Sequence, residues 1–331
     1  MGLRHDGFGM VAGMETGGGG LPWVGIAANA HSGRGAGRLR VERLVRELRS
    51  RGLAVRVGWT PAERSAMVAE AGRDPGCRCL VAAGGDGTVA ALVNERPEVP
   101  VTVLPAGTEN LFARHFGLRG TPAQVADTIA HGRVARIDLG QVSGRRFALM
   151  AGIGFDADVV TRHHLARLGE AGRMRPTRRV AYVEPVLRAS FGYRFPSLTV
   201  AIADPGREET LVGSTAFVFN LPRYALGLPF VPKALGDDGW LDLIVFRDPG
   251  ALPALRYLWL VFRGIHLDRP GVSHRRVRRL SVTCPEPAPV QLDGDPGGAI
   301  ILGDEGHPWT IETLPRVLGV VVPSSYAFAA G

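Results

Sequence analysis

Lysine is all but absent. Of 39 basic residues only Lys233 is a lysine, set against 31 acidic residues and a formal charge of +8. A P-loop requires a lysine after its glycines, and a protein kinase requires one on a strand over its nucleotide. Lys233 sits in Val231-Pro232-Lys233-Ala234-Leu235, which is neither. Both of those phosphoryl-transfer machines are excluded. Cysteine is nearly as scarce: Cys77, Cys79 and Cys284 form no zinc-ligand pattern and no disulfide framework, and they fit a reduced, cytoplasmic compartment. Long apolar runs are missing too. The most apolar late stretch, residues 251–265, is interrupted by Arg256 and Arg263 and is shorter than the roughly 20 residues a bilayer-spanning helix needs. Residues 1–21 are Gly-rich, lack the apolar core of a signal peptide and read as a disordered tail.

What is present is an ordinary globular composition, 45% hydrophobic and 21% charged over 331 residues. That excludes wholesale disorder and points to two domains at about 150 residues each. The arginine excess reads first as solvated surface charge. It also suits nucleotide phosphates or anionic lipid headgroups. Nucleic acid is not expected as a partner, since no matching motif or aromatic platform accompanies the charge.

From Pro22 the pattern alternates strand and helix. Residues 23–29 form a short apolar strand, followed by a turn with Ser32, Gly33, Gly35 and Gly37, then a helix over 38–50. Residues 53–59 alternate as a strand. Thr60-Pro61-Ala62-Glu63 then supplies an N-cap, a proline at the first helical position and a glutamate three residues after the cap. Strands over 79–83 and 99–104 run into helices over 89–95 and 110–115, and Thr121-Pro122-Ala123-Gln124 repeats the capping arrangement. Such alternation predicts a doubly wound parallel sheet, whose ligands bind beyond the carboxyl ends of the strands. After about Gln141 short β-rich segments recur, at 146–151, 197–203, 211–219, 240–246, 277–283 and 288–293. They predict an antiparallel β-sandwich, with residues 158–190 as the helical exception. The domains expected are 22–141, with 314–325 returning to it, and 142–313. The arginine run Arg173, Arg175, Arg178 and Arg179 reads as a solvated face, with headgroup contact as the alternative.

The strongest local signal is Gly84-Gly85-Asp86-Gly87-Thr88. Glycines permit positive φ and let backbone amides converge on phosphate oxygens, and a helix opening at Thr88 favours the same anion. Asp86 would repel bare phosphate, so its presence calls for Mg²⁺ or a protonated hydroxyl beside it. A second loop, Leu104-Pro105-Ala106-Gly107-Thr108-Glu109-Asn110, repeats the arrangement on the next unit, and Asn29 closes the first strand at the same edge. Two Gly-Thr turns side by side could hold a triphosphate, its charge met by amides, metal and arginines such as Arg34, Arg38 or Arg114.

These motifs, together with Gly152-Ile153-Gly154-Phe155-Asp156-Ala157, Asp237-Asp238-Gly239-Trp240-Leu241-Asp242 and Gln291-Leu292-Asp293-Gly294-Asp295, resemble the soluble diacylglycerol kinase catalytic-domain family. That family takes in sphingosine, ceramide and bacterial lipid kinases, and the likeness runs from about residue 24 to 323. Gly-Gly-Asp-Gly alone is shared with NAD kinases and phosphofructokinases; the six motifs in this order are specific to the lipid kinases.

The resemblance implies an ATP- and Mg²⁺-dependent lipid kinase, with the active site in a cleft between the two domains. Its nucleotide contacts would be Thr60, Gly84, Gly85, Asp86, Gly87, Thr88, Val89, Ala90 and Thr108, beside Asn29, Gly107 and Asn110. Leu235, Asp238 and Trp240 would hold a structural Mg²⁺, through backbone carbonyls as well as a carboxylate. Asp86 and Asp295 would be catalytic, with Phe155, Leu226, Leu228, Phe230 and Val231 as candidate lining for the lipid. The partner expected is a lipid at the membrane surface, met from the cytoplasmic face; the reading also admits a homodimer.

Two positions depart from the family. Leu111 stands where many bacterial relatives have Asp. Asp295 stands where the family's proton acceptor is Glu, shortening the reach by one methylene, roughly 1.5 Å. An NAD or sugar-phosphate kinase with a soluble acceptor, and a weakly active lipid-binding pseudokinase, are the alternatives.

Overall fold

The computed structural model describes residues 21–29, 36–118, 120–167, 192–300 and 309–327. The expected tail, the Ser32–Gly33 turn with Arg34, the arginine run and the helix expected beyond residue 167 lie outside these residues. The chain forms two compact units, one ending at Ile137 and resuming at Arg316, the other running from Asp138 to Pro315.

In the first unit the order is β1 (Trp23–Ala28), α1 (Ala36–Arg49), β2 (Ala54–Gly58), α2 (Pro61–Arg73), β3 (Cys77–Gly84), α3 (Asp86–Asn94), β4 (Val101–Pro105), α4 (Leu111–His115) and α5 (Pro122–His131). The strands pair in parallel in the order β2-β1-β3-β4. Val24, Ile26, Val81 and Leu104 from the sheet bury against Leu44, Leu48 and Ile129 from the helices. Both capping boxes form. Thr60 Oγ1 accepts from the Glu63 amide at 3.2 Å, while Glu63 Oε2 accepts the Trp59 and Thr60 amides at 2.7 and 3.1 Å. Those donated amides hold the Glu63 carboxyl below its ordinary range. Thr121 and Gln124 reproduce the arrangement.

The second unit adds β5 (Arg133–Val142), which enters it from the first, then β6 (Arg145–Phe147), β7 (Met150–Gly154), α6 (Phe155–Arg167), β8 (Leu198–Asp204), β9 (Arg207–Gly213), β10 (Thr215–Phe219), β11 (Arg223–Tyr224) and β12 (Leu228–Pro229). It continues with β13 (Leu241–Phe246), α7 (Ala251–Phe262), β14 (Val272–Val277), β15 (Arg279–Thr283), β16 (Ala288–Leu292), β17 (Asp295–Ile300) and β18 (Trp309–Val322). One antiparallel layer runs β14-β13-β10-β7-β16-β17, and a second pairs β18 with β15, β15 with β8 and β8 with β9. Side chains of both layers, among them Ile153, Val200, Val218, Leu243, Leu280 and Val290, share one core. This is the expected sandwich. The last residues of β18 return to the first unit, where Val320 pairs in parallel with Val101 of β4.

Three details differ from the sequence reading. The segment 211–219 is two strands in different layers, not one. At the corner between them a Cβ on Gly213 would come within 2.6 Å of the Phe246 carbonyl oxygen, and the Ser214 amide donates to that same oxygen at 2.9 Å. Residues 277–283 likewise change layers at Arg278, where the Asp204 carboxylate accepts the Arg278 and Arg279 amides at 2.8 and 3.0 Å. Finally, the apolar stretch after residue 250 is a helix, α7, so this half has a second helical element.

Candidate active site

Strands β3 and β4 are parallel neighbours with Gly84 opposite Pro105, so the two glycine loops leave the sheet side by side. The Ala106 amide donates to the Gly84 carbonyl at 2.9 Å. A Cβ on Gly107 would lie 2.5 Å from the Gly85 Cα, and one on Gly84 would lie 2.1 Å from Thr88 Oγ1. Glycine is required here by close approach. The expected positive φ is not found: Gly84, Gly85, Gly87 and Gly107 all avoid the left-handed region, and Asn110 adopts it instead, at φ 49°. Asn110 locks the second loop, its Oδ1 accepting from the Gly107 amide and its Nδ2 donating to the Gly107 carbonyl, both at 2.8 Å.

Asp86 links the two loops. Each of its carboxylate oxygens accepts one amide at 3.0 Å, from Leu111 and from Phe112 at the head of α4. Burial raises its pKa, the two amides oppose that shift, and Glu109 adds to it. Helix α3 begins at Asp86 rather than at Val89. Thr88 and Ala90 are half-buried, Val89 belongs to the core, and Thr108 is exposed at its loop. Asn29, exposed, donates its amide to Ala83 at 3.2 Å beside the first loop. Thr60 follows β2 at the same carboxyl edge with its hydroxyl oxygen engaged in the capping box. Arg114 is half-buried on α4, and Arg38 lies 5.3 Å from the Trp59 ring centroid.

In the second unit β16 and β17 form a hairpin with Leu292 opposite Asp295. The two residues between them, Asp293 at φ 54° and Gly294 at φ 88°, have the positive φ values of the tight turn that an Asp-Gly pair favours. Asp293 is buried and its carboxylate accepts the amides of Ala148, Leu149 and Met150 at 2.8, 2.7 and 3.0 Å. Asp295 is exposed at the start of β17. Gln291 braces the turn: its Oε1 accepts from the Gly294 amide at 2.8 Å and its Nε2 donates to Asp156 Oδ2 at 2.9 Å. Gly152 makes that bridge possible, because a Cβ there would lie 2.6 Å from Gln291 Nε2 and 2.7 Å from Asp156 Oδ2. The Asp156–Gln291 bridge is a feature that the motifs do not predict. The glycine two residues before a strand-end Gly-Phe-Asp was the available signal.

Burial pushes the Asp156 carboxyl up to about 6, against the pull of hydrogen bonds from Gln291 and Tyr224. An unfolded Asp titrates near 3.8, so between those values the folded state holds a proton that the unfolded chain has lost. Stability from this group therefore falls as pH rises through that window and is level above it. Asp156→Asn removes the effect. Its stability relative to the parent protein should rise by on the order of 3 kcal/mol between pH 4 and pH 7 in urea melts. A difference independent of pH would show that the carboxyl is not elevated.

The Asp237–Asp238–Gly239 turn carries the third candidate group. Asp238 Oδ1 accepts the Trp240 amide at 3.0 Å, and Oδ2 pairs with the Arg276 guanidinium. Buried Asp138 accepts the Gly239 amide at 2.6 Å. Burial raises the Asp238 pKa, Arg276 and the Trp240 amide lower it, and the Asp138 and Asp242 carboxylates raise it further. Among the described residues no three His, Cys, Asp or Glu side chains gather as a metal site. A carboxylate with backbone carbonyls of Leu235 and Trp240 is nonetheless a hard-oxygen set of the kind Mg²⁺ accepts. The Asp138 and Asp242 carboxylates act on Asp238 electrostatically, and its Oδ2 is already paired with Arg276.

A parallel sheet with paired glycine loops at its carboxyl edge, joined in sequence to an antiparallel sandwich, defines a class of two-domain kinases without a P-loop. Residues 24–142 match the diacylglycerol kinase catalytic domain, and residues 151–322 match the YegS C-terminal NAD kinase beta sandwich-like domain. A diacylglycerol kinase of Mycobacterium tuberculosis is 30% identical over 305 residues, covering 89% of this chain and 93% of the relative. One from Bacillus subtilis is 27% identical over 259 residues, covering 75% and 78%. A solved diacylglycerol kinase structure from Bacillus anthracis aligns with a TM-score of 0.64 at 18% identity, over 93% of this chain and 99% of that one. The chain belongs to the diacylglycerol kinase catalytic-domain family, and it is a lipid kinase.

Proposed function

We propose that the protein transfers the γ-phosphoryl group of ATP to the primary hydroxyl of a diacylglycerol. The observation that carries this reading is the pair of glycine loops held in contact by Asp86, backbone of the kind that cradles phosphates. The names of the relatives support diacylglycerol as acceptor. In the step proposed, the acceptor oxygen forms a bond to the γ-phosphorus, the bond to the β–γ bridging oxygen breaks, and the hydroxyl proton passes to Asp295. Residues 84–90 and 107–110, with Asn29, Thr60 and Thr108 beside them, receive the nucleotide. Asp86 acts in this scheme as the positioning group that fixes one loop against the other. Phosphoryl transfer depends mainly on such positioning and charge neutralisation. Mg²⁺ bound with the ATP would supply the neutralisation that a lysine supplies elsewhere.

Labelled ATP and Mg²⁺ offered with diacylglycerol, phosphatidylglycerol, sphingosine, ceramide and NAD in parallel test this reading. Fastest labelling of diacylglycerol supports it; faster labelling of NAD, or nucleotide binding without transfer to any lipid, overturns it.

Leu235, Asp238 and Trp240 are proposed to hold a structural Mg²⁺, which would brace the turn between β12 and β13. Millimolar Mg²⁺ should then raise the melting temperature of the parent protein without nucleotide, and Asp238→Ala should abolish that rise. Absence of a rise in the parent protein would remove the metal from this turn.

A further inference from the structure

Helix α7 is built to lie on something apolar. Its inner face carries Tyr257, Leu260 and Val261, all buried. The Tyr257 ring stacks on Phe246 at 4.5 Å, and its hydroxyl bonds to Asp248 Oδ2 at 2.5 Å and to the Gly271 carbonyl at 3.2 Å. Those contacts fix the helix on the sandwich and dictate what faces outward. At 100° per residue, Leu252, Leu255, Leu258, Trp259 and Phe262 fall on the opposite arc. Of these, Leu252 is 77% exposed, Phe262 69%, Trp259 54% and Leu258 41%. Large apolar side chains gathered on one exposed face mark an interaction surface.

Charge identifies the occupant. The helix has no acidic residue, and exposed Arg263 borders the apolar arc, next to Arg256, which pairs with Asp248 at 3.9 Å. Arg263 lies 5.5 Å from the Trp259 ring centroid, joining a cation to an interfacial aromatic. Leu, Trp and Phe beside arginine, on a helix about 18 Å long, are the composition of an element that lies in a bilayer interface with its cations at anionic headgroups. Helix α7 packs against β12, and the hairpin it closes has half-exposed Leu226 at its tip. That hairpin also carries candidate acceptor-lining residues.

We propose that the outer face of α7 docks the protein on an anionic bilayer, with Leu252, Trp259 and Phe262 entering the interface and Arg263 meeting headgroup phosphates. The proposal rests on the lipid-acceptor reading for its purpose, but its test is separate. The full chain is sedimented with phosphatidylcholine vesicles containing phosphatidylglycerol, and with phosphatidylcholine alone. The parent protein should bind the anionic vesicles more tightly and release them at high salt. Leu252→Glu/Trp259→Glu/Phe262→Glu should weaken binding roughly a hundredfold, and Arg263→Ala roughly fivefold. These positions are exposed, so melting temperature and turnover of a dispersed short-chain diacylglycerol should stay as in the parent.

Undiminished vesicle binding by the triple variant, or none by the parent, overturns the proposal. So does a parent dimer in sedimentation velocity that the triple variant splits, since the face would then be covered by a second copy. Vesicle binding lost in the triple variant, with no lipid phosphorylated by the parent, would uphold docking while removing the activity.

Discussion

Asp295→Asn should lower phosphoryl transfer by roughly 10²–10⁴-fold, the usual contribution of a positioned general base, and leave the melting temperature unchanged. The side chain is exposed at the head of β17, outside the hydrophobic core, and Asn matches Asp in size. The turn before it is held by other groups: Asp293 through three amides, Gln291 through Gly294. Loss of turnover with an intact fold would therefore reflect the missing proton acceptor. Asp295→Glu is the informative partner, because it restores roughly 1.5 Å of reach. It should equal or exceed the parent rate if the base reads through distance. Asp293→Asn predicts the opposite pattern, a destabilised protein, since an amide side chain cannot accept three buried backbone donors as a carboxylate does. Full turnover in Asp295→Asn would take the residue out of the base role and favour a different proton acceptor.

Much of this is legible in the sequence. The two capping boxes, the parallel alternation and the Gly-Thr loops at strand ends are local patterns, and each formed where its residues predicted. The parts that were not legible are those set by partners distant in sequence. Asp86, Asp204 and Asp293 look alike as isolated carboxylates, yet each accepts two or more backbone amides from another segment. Asp86 consequently has less freedom toward a ligand than its motif suggested, and in the scheme proposed here it sets the spacing of two loops. The layer changes at Gly213 and Arg278 were hidden for the same reason. A β-rich run shows its alternation but not which sheet it joins. Helix α7 is apolar on both faces, so its sequence does not say which face meets the sandwich.

The spacing of the loops leads to the second large effect, in Gly107→Ala. The added Cβ would meet the Gly85 Cα at 2.5 Å and Asn110 Oδ1 at 2.9 Å. The first of these is backbone, one residue past β3 at the cap of α3, so it cannot move aside as a flexible side chain does. The loops must separate, and the Asn110 clamp on Gly107 must open. Overpacking of this kind costs about 1–3 kcal/mol of stability. Misplacing the phosphate amides by an ångström costs about a hundredfold in turnover, with at least about tenfold weaker ATP binding by calorimetry. Gly117→Ala separates the two consequences. Gly117 lies in the same unit at φ 69° with nothing within 4 Å of an added Cβ, so alanine there strains the backbone by about 1–2 kcal/mol without touching the loops. It should lower the melting temperature and leave ATP affinity as in the parent. Equal ATP affinity in Gly107→Ala and Gly117→Ala would mean that the nucleotide does not sit where the two glycine loops meet.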